Sequence, residues 1–273
     1  MKRRILLQGL TAAALAPRVF AADALATVRE RGALTVAVYR DMPPFHDEGR
    51  GIDVDLARLL ADALGARLSL MPFTAGEDMN DDLRNMVWKG HYLGYGPADV
   101  LMHVPVDAPL MDANPQVRIF APYWHDRVMI ARRLDRLPHL ETLAQLKGER
   151  VAVPGQTLAG WLMLGADSGA YRDQLSTDWK DGVEAARALQ RGEFAAAVGL
   201  DSEMQSVLSN DARFVITPLP TVHAPREGWA VGLAVKQDAA ALAQALQKAI
   251  DDAAADGRLR GIFATAGIAW RAA

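Results

Sequence analysis

Few residues of this 273-residue chain stand at spacings that do chemistry by themselves. The run Asp78-Met79-Asn80-Asp81-Asp82 has the D-x-N-x-D spacing that opens a calcium loop, in which alternate carboxylates and amides converge on one hard cation. The glycine such a loop needs at its turn is absent and no glutamate closes it; Asn85 and Lys89 stand nearby instead. The run reads as an acid-rich helix start, where carboxylates meet the positive end of the helix dipole. The six histidines, at 46, 91, 103, 125, 139 and 223, show neither H-x-x-x-H nor H-E-x-x-H spacing, so nothing supports zinc. There is no cysteine, which excludes disulfides, thiolate metal sites, iron–sulfur clusters, thiol nucleophiles and C-x-x-C-H haem attachment. Neither a G-x-S-x-G elbow nor a G-x-x-x-x-G-K phosphate loop occurs. No metal and no cofactor are expected, and the leading expectation is not an enzyme.

The elements that would position any site follow from hydrophobic periodicity. Residues 34–38 are β-branched and apolar and follow Gly32, which predicts a buried strand. Met42-Pro43-Pro44-Phe45 must be loop, because neither proline can donate to a ladder. Ile52, Leu56, Leu59, Leu60 and Ala63 then recur at helical spacing and Gly65 ends the run. Residues 67–71 predict a second strand, 80–88 a helix and 99–104 a third strand. This is β-α-β-α-β, the signature of a parallel sheet covered by helices. The pattern restarts with strands at 128–131, 151–153, 194–198 and 214–216, and with helices at 158–164, 182–189 and 202–208. A strand at 229–235, a long helix at 239–255 and a short terminal helix close the chain.

Composition sets outer limits. Hydrophobic residues make up 51% and charged residues 23%, so the chain can bury a core. A formal charge of −3 argues against nucleic acid as the main partner, since phosphate binding needs a basic surface. Lys2, Arg3 and Arg4 precede the largely apolar stretch 5–16, and Val19-Phe20-Ala21 offers a small-residue cleavage point before Ala22. That order predicts a secretory signal over 1–21. Arg3-Arg4-Ile5-Leu6-Leu7 also resembles a twin-arginine signal, so the export route is Sec or twin-arginine. Cleavage removes four cations and no acid, which takes the charge from −3 to −7. The mature protein is expected in the periplasm.

Five stretches carry a resemblance, in order, to the bacterial extracellular solute-binding proteins of family 3, the polar-amino-acid type of periplasmic binding protein. They are Leu34-Thr35-Val36-Ala37-Val38 with Pro44-Phe45 and Gly51-Ile52-Asp53; Ala98-Asp99-Val100 with Phe120-Ala121-Pro122-Tyr123; Leu143 through Val153; Ala188 through Ala196 followed by Asp201; and Asp256-Gly257-Arg258-Leu259 through Gly267. They span essentially the whole mature chain. The resemblance implies an α/β, two-lobed periplasmic binding protein fold (type II), with parallel-rich sheets, helices on both faces, and a hinge of two crossovers near 122–126 and 224–227. Lobe one would be 22–124 plus 226–273 and lobe two 125–225. A monomer that closes on ligand by a hinge is expected.

Ligand groups in open α/β sheets come from the carboxyl ends of strands and the loops after them. Here those positions supply Tyr39 and Phe45 as aromatic faces, Arg40, His103 and Asp107 as polar groups, and Gln156 and Thr157 at a helix start whose free N–H groups can hold an anion. Asp201 matches the family aspartate that pairs with a ligand amino group. Each has a structural alternative: Phe45 can staple its loop to the core, and Thr157 and Asp201 can cap their helices. The family's arginine clamp for a ligand carboxylate is missing after the third strand, where His103-Val104-Pro105-Val106-Asp107 stands. Arg40 or Arg118 could substitute, though neither matches the family position, and a standard α-amino acid is not the expected ligand.

The stretch Asp99-Val100-Leu101-Met102-His103-Val104-Pro105 also resembles a divergent, quinoprotein-associated branch: solute-binding-like proteins of periplasmic PQQ alcohol dehydrogenase systems, including the J-type accessory proteins of methanol oxidation. The insert Trp88-Lys89-Gly90-His91-Tyr92-Leu93-Gly94-Tyr95-Gly96-Pro97 departs from both branches. It could be a cleft lid, a partner-docking loop, or a surface loop packed by its own rings. Three functions follow. The first is capture of a small polar ligand for an ABC importer, with an ABC permease as partner. The second is accessory service to a periplasmic dehydrogenase or its cytochrome by protein contact. The third is a dehydratase-type enzyme on the same scaffold, using His103 or Asp107.

Overall fold

A computed structural model describes residues 23–225 and 227–272; the expected signal over 1–21 lies outside them. The chain starts with helix α1 (Ala24–Arg31), whose first turn Asp23 caps by accepting from Leu25 N at 3.1 Å. Strand β1 (Ala33–Tyr39), helix α2 (Ile52–Ala63), strand β2 (Arg67–Phe73), helix α3 (Met79–Leu83) and strand β3 (Val100–Pro105) follow. The pairings β1–β2 and β1–β3 are parallel, as the repeated β-α-β pattern requires. Helix α4 (Ala108–Ala113) leads into β4 (Val117–Asp126), and β10 (Trp229–Lys236) inserts antiparallel between β3 and β4. The first sheet therefore runs β2-β1-β3-β10-β4.

The second sheet has the order β7-β6-β8-β5-β9. Its strands are β5 (Val128–Arg133), β6 (Val151–Ala152), β7 (Leu175–Ser176), β8 (Ala196–Leu200) and β9 (Phe214–Pro218). Helices α5 (Leu158–Gly165), α6 (Gly182–Gln190) and α7 (Asp201–Leu208) connect them, and α8 (Ala240–Ala255) and α9 (Arg258–Thr265) return to the first sheet. Each sheet has an apolar cluster on both faces. In the first, Leu56 and Leu60 of α2, Leu246 of α8 and Phe263 of α9 pack on one side, while Leu83 and Met86 pack on the other. In the second, Ala159 and Met163 of α5 cover one face, and Ala186, Leu189, Met204 and Leu208 of α6 and α7 cover the other. This is a mixed α/β architecture of two layered lobes.

Several elements differ from the sequence expectation, each for a physical reason. The helix expected over 80–88 is α-helical only to Leu83 and continues as a π turn, Arg84–Trp88. The segment expected as a crossover near 122–126 is the last half of β4, with Pro122 inside the strand. Proline is tolerated there because β4 is the edge of its sheet and pairs with β10 alone. Strand β8 lies two residues later than the expected 194–198, and Phe194 before it packs against Trp179. Helices α1 and α4 were not expected: α1 has one buried residue and α4 none, so neither shows an apolar stripe.

The chain passes between the sheets at Arg127 and again over 219–228, and the two passages meet. Trp229 pairs with Asp126 and Ala230 with His125. Gly228 lies in the left-handed region at φ +67, and a Cβ there would strike the Asp126 carbonyl oxygen. Gly228→Ala is expected to cost more than about 1 kcal/mol, because both the conformation and the space exclude a methyl. Urea denaturation at neutral pH checks this, with an unchanged midpoint as the contrary result.

Candidate functional site

The carboxyl edge of the first sheet holds a buried polar cluster. His103, near the end of β3, sits at φ +60, a left-handed conformation that costs a residue with a Cβ. Its backbone N–H donates to Tyr123 Oη at 3.1 Å, and that hydroxyl donates to Asp53 Oδ1 at 2.7 Å. The other carboxylate oxygen of Asp53 lies 3.5 Å from His103 Nδ1. Asp53 is in the first turn of α2, whose dipole favours a negative charge there. Burial foremost, then the Asp53 carboxylate, raises the Tyr123 hydroxyl well above its ordinary range, so it stays protonated as a donor. The Phe45 ring meets the His103 ring edge-on at 4.2 Å, and Phe45 is buried with Phe263. Gly51, at φ +122, lets the loop close: a Cβ there would collide with the Phe45 carbonyl oxygen.

The remaining positions named from the sequence fall in different surroundings. Tyr39 is buried, donates to Asp82 Oδ2 at 2.9 Å and packs on Phe73; burial raises its hydroxyl pKa. Arg40 is exposed and donates to Pro72 O at 3.2 Å. Asp107 caps α4 by accepting from Leu110 N at 3.0 Å. Gln156 is exposed at the entry to α5. Thr157 caps α5, accepting from Gly160 N at 3.2 Å and donating to Pro154 O at 2.7 Å. Arg118 lies on the exposed side of β4, against α8. Asp78 caps α3 by accepting from Asp81 N at 3.0 Å.

Asp201 is the named residue that lies beside the passage between the sheets. It opens α7, is buried, and lies with Oδ2 3.6 Å from Arg127 Nε. Its Oδ1 accepts from Gln205 Nε2 at 2.8 Å, and Gln205 Oε1 accepts from Ala269 N at 3.0 Å. The C-terminal strand of chain thus crosses from α9 to α7, and Ser209 Oγ adds a bond to Gly267 O at 2.6 Å. Trp270 Nε1 ties the same segment to Tyr123 O at 2.8 Å. Between this segment and the two passages lies a cavity of about 230 Å³, lined by Arg127, Asp201 and Gln205 together with Glu227 and Arg271. Further out, Lys180 and Asp41 approach to 3.7 Å, joining the loop before α6 to the loop after β1. Arg127, Gln205 and Lys180 had no sequence signal, and Asp53 and Tyr123 stood in the stretches of the resemblance without a site role. Each acts through a partner tens of residues away.

The insert 88–97 lies at the opposite end of the first sheet. It follows the π turn and returns through Ala98, whose N donates to Met86 O, and Asp99, whose N donates to Thr35 O near the start of β1. The His91 ring stacks on Tyr95 at 4.3 Å and tilts against Tyr92 at 4.4 Å, so the loop is packed by its own rings. Tyr92 and Leu93 remain 88% and 68% exposed. This end is remote from the carboxyl edge, so the loop is no lid over the cleft.

Buried acids hold the base of α7. Asp126 accepts from Ser202 Oγ at 2.5 Å and from Arg127 N at 3.0 Å, yet burial still raises its pKa. Glu203 accepts from Leu200 N at 2.7 Å and Gly182 N at 3.0 Å; burial outweighs these bonds and pushes it up to about 7.

Solved structures can now be set beside this geometry. An ancestral cationic amino acid solute-binding protein, AncCDT-1, superposes with a TM-score of 0.67 at 18% identity, covering 89% of this chain and 99% of that one. The fold is that of the two-lobed periplasmic binding proteins. An amino acid ABC transporter substrate-binding protein from Streptococcus pneumoniae, bound to L-arginine, gives 0.60 at 19% identity over 92% of this chain and 100% of its own. The solute receptor for L-cysteine of Neisseria gonorrhoeae gives 0.56 at 19% over 89% and 92%. A further structure of AncCDT-1 is described as a precursor of cyclohexadienyl dehydratase. No family model and no curated protein sequence matches the chain.

Two predictions follow from the buried groups. Tyr123→Phe removes the hydroxyl that serves both Asp53 and the His103 N–H, leaving a buried acceptor and donor unpaired; thermal unfolding should show a loss of about 1–3 kcal/mol. Glu203 keeps its proton in the folded state to about 7, whereas the unfolded chain releases it near 4.5. Its contribution is therefore full below 4.5 and is lost as pH rises to 7, by on the order of 3 kcal/mol. Urea midpoints at pH 4.5, 6 and 8 should fall accordingly, with a smaller slope in Glu203→Gln.

Proposed function

We propose that this chain is an exported periplasmic solute-binding protein that captures a small polar ligand between its lobes and presents it to an ABC permease. In this reading residues 1–21 are the signal, lobe one is 22–124 plus 226–273, lobe two is 125–225, and the mature protein is a monomer without cofactor or catalytic role. One observation carries the reading: Asp201, Arg127, Glu227 and Arg271 line one cavity beside the two passages, so groups of both charge signs meet where the lobes join. A ligand that pairs with such groups from both lobes favours the closed arrangement by its differential contacts. Within the cleft, His103 and Asp107 face the ligand from lobe one, with Tyr39, Arg40 and Phe45 shaping that wall. Gln156, Thr157 and Asp201 complete it from lobe two. His103 stands where the solute-binding resemblance places a carboxylate clamp, which favours a ligand other than a standard α-amino acid.

The test is a thermal-shift panel of amino acids, amines and small carboxylates on residues 22–273, followed by calorimetry and solution scattering. One compound should raise the melting temperature by several degrees, at about 2–4 °C per kcal/mol for a chain of this size. Asp201→Ala should weaken that compound about tenfold or more, as loss of a charged hydrogen bond does. A panel without any shift, and scattering that never changes, would overturn the reading.

The exposed Tyr92 and Leu93 favour a second reading, in which the protein serves a periplasmic PQQ alcohol dehydrogenase or its cytochrome by contact. Copurification with that enzyme, abolished by Tyr92→Ser with Leu93→Ser, would support it over ligand capture. A dehydratase role would need turnover that His103→Ala or Asp107→Ala removes.

A further inference from the structure

We propose that the second lobe carries an oxyanion-binding site, separate from the cleft, built on Arg132 and Thr217. Arg132 stands in β5 with 8% of its surface exposed, and its Nε and Nη1 are enclosed without a hydrogen-bond partner. Thr217 Oγ1 on β9 is likewise enclosed and unpartnered. Across the β5–β9 pairing, Ile130 meets Thr217 and Arg132 meets Val215. Arg132 and Thr217 are therefore diagonal neighbours on one face of the sheet, a separation that a long side chain spans. The intervening Ala131 and Ile216 pack into the opposite cluster, which assigns Arg132 and Thr217 to the face covered by Leu137, Leu143 and Leu146.

A guanidinium does not lose its proton in a folded protein, so burial cannot be relieved by neutralisation. It offers only donors, and an enclosed cation without an acceptor is strongly destabilising. The acids at this end of the sheet are already engaged. Asp135 pairs with Arg133, Glu149 with Arg136, Glu193 with Arg191, and Asp211 with Arg213. The missing partner is an acceptor with negative charge, small enough to reach a nearly closed position. A phosphate, sulfate or carboxylate group fits that description, and the Thr217 hydroxyl can donate to the same group. The site lies well away from the cleft: Arg132 pairs with Ala196 while Val128 pairs with Leu200, four residues or about 13 Å along β5. The proposal does not depend on what the cleft binds.

The probes are inorganic phosphate, sulfate and acetate, each against chloride at matched ionic strength, on residues 22–273. At least one should raise the melting temperature by about 3–6 °C at tenfold its dissociation constant. Phosphate or sulfate acting without acetate identifies a tetrahedral ligand; acetate acting alone identifies a carboxylate, and both outcomes support the site. Arg132→Met should abolish the shift and be at least as stable as the parent in chloride, because the unpaired charge is gone. Should that variant fail to fold, Arg132→Lys and Thr217→Val should each weaken the shift at least fivefold in apparent affinity. Asp201→Ala should leave it unchanged. Equal melting temperatures in all four salts, or an oxyanion shift that survives Arg132→Met, overturns the proposal and leaves water as the partner of the guanidinium.

Discussion

The buried carboxylate of Asp126 is the contact on which the arrangement of the two sheets rests. Asp126 is the last residue of β4 in the first sheet, and its oxygens hold Ser202 in the first turn of α7 beside the second. That hydrogen-bonded carboxylate sits where the backbone passes between the sheets, beside Arg127 and Gly228. Moving α7 away would strand that carboxylate in an apolar setting, which is costly. Asp126 is 1% exposed, and that burial raises its pKa.

Other polar contacts are layered around that carboxylate. Glu203, one residue beyond Ser202, fixes the starts of α6 and α7 by accepting from Gly182 and Leu200. Gln205 turns Asp201 toward the junction and fastens the C-terminal segment, and Trp270 returns that segment to β4. The wall facing α7 is thus assembled from three separate stretches of chain. On the first sheet, Tyr123 does comparable work: it bridges Asp53 and His103 and holds a residue in a left-handed conformation that it would otherwise leave. Strained backbone supported by buried hydrogen bonds at a strand's carboxyl edge is a common way to present a side chain in a fixed direction.

The two ends of the sheets have different characters. The carboxyl edges hold the buried acids, the strained histidine and the mixed-charge cavity. The opposite ends hold the self-stacked rings of the insert on one lobe and the arginine-rich margin on the other. The Tyr92–Tyr95 loop and the unpartnered Arg132 both lie away from the carboxyl edges.

Hydrophobic periodicity in the sequence determined the two α/β layers and nearly every long helix, because a strand or helix that buries one face must write that face into local order. It also carried Asp201 to the junction, since a strand followed at once by a helix puts the connecting residue at the sheet's carboxyl edge. The length of β4 was hidden by Pro122, which an edge strand with an irregular register there accommodates. Tyr39 stands at a strand end and Phe45 and Asp107 in the loops after strands, as expected, but whether such a side chain turns inward, caps a helix or meets solvent depends on what packs above it. The Asp53–Tyr123–His103 cluster, the clasp through Gln205 and the isolation of Arg132 were decided by tertiary structure alone. In each, the deciding partner is distant along the chain, and hydrogen bonds and charge pairs leave no periodic trace in sequence.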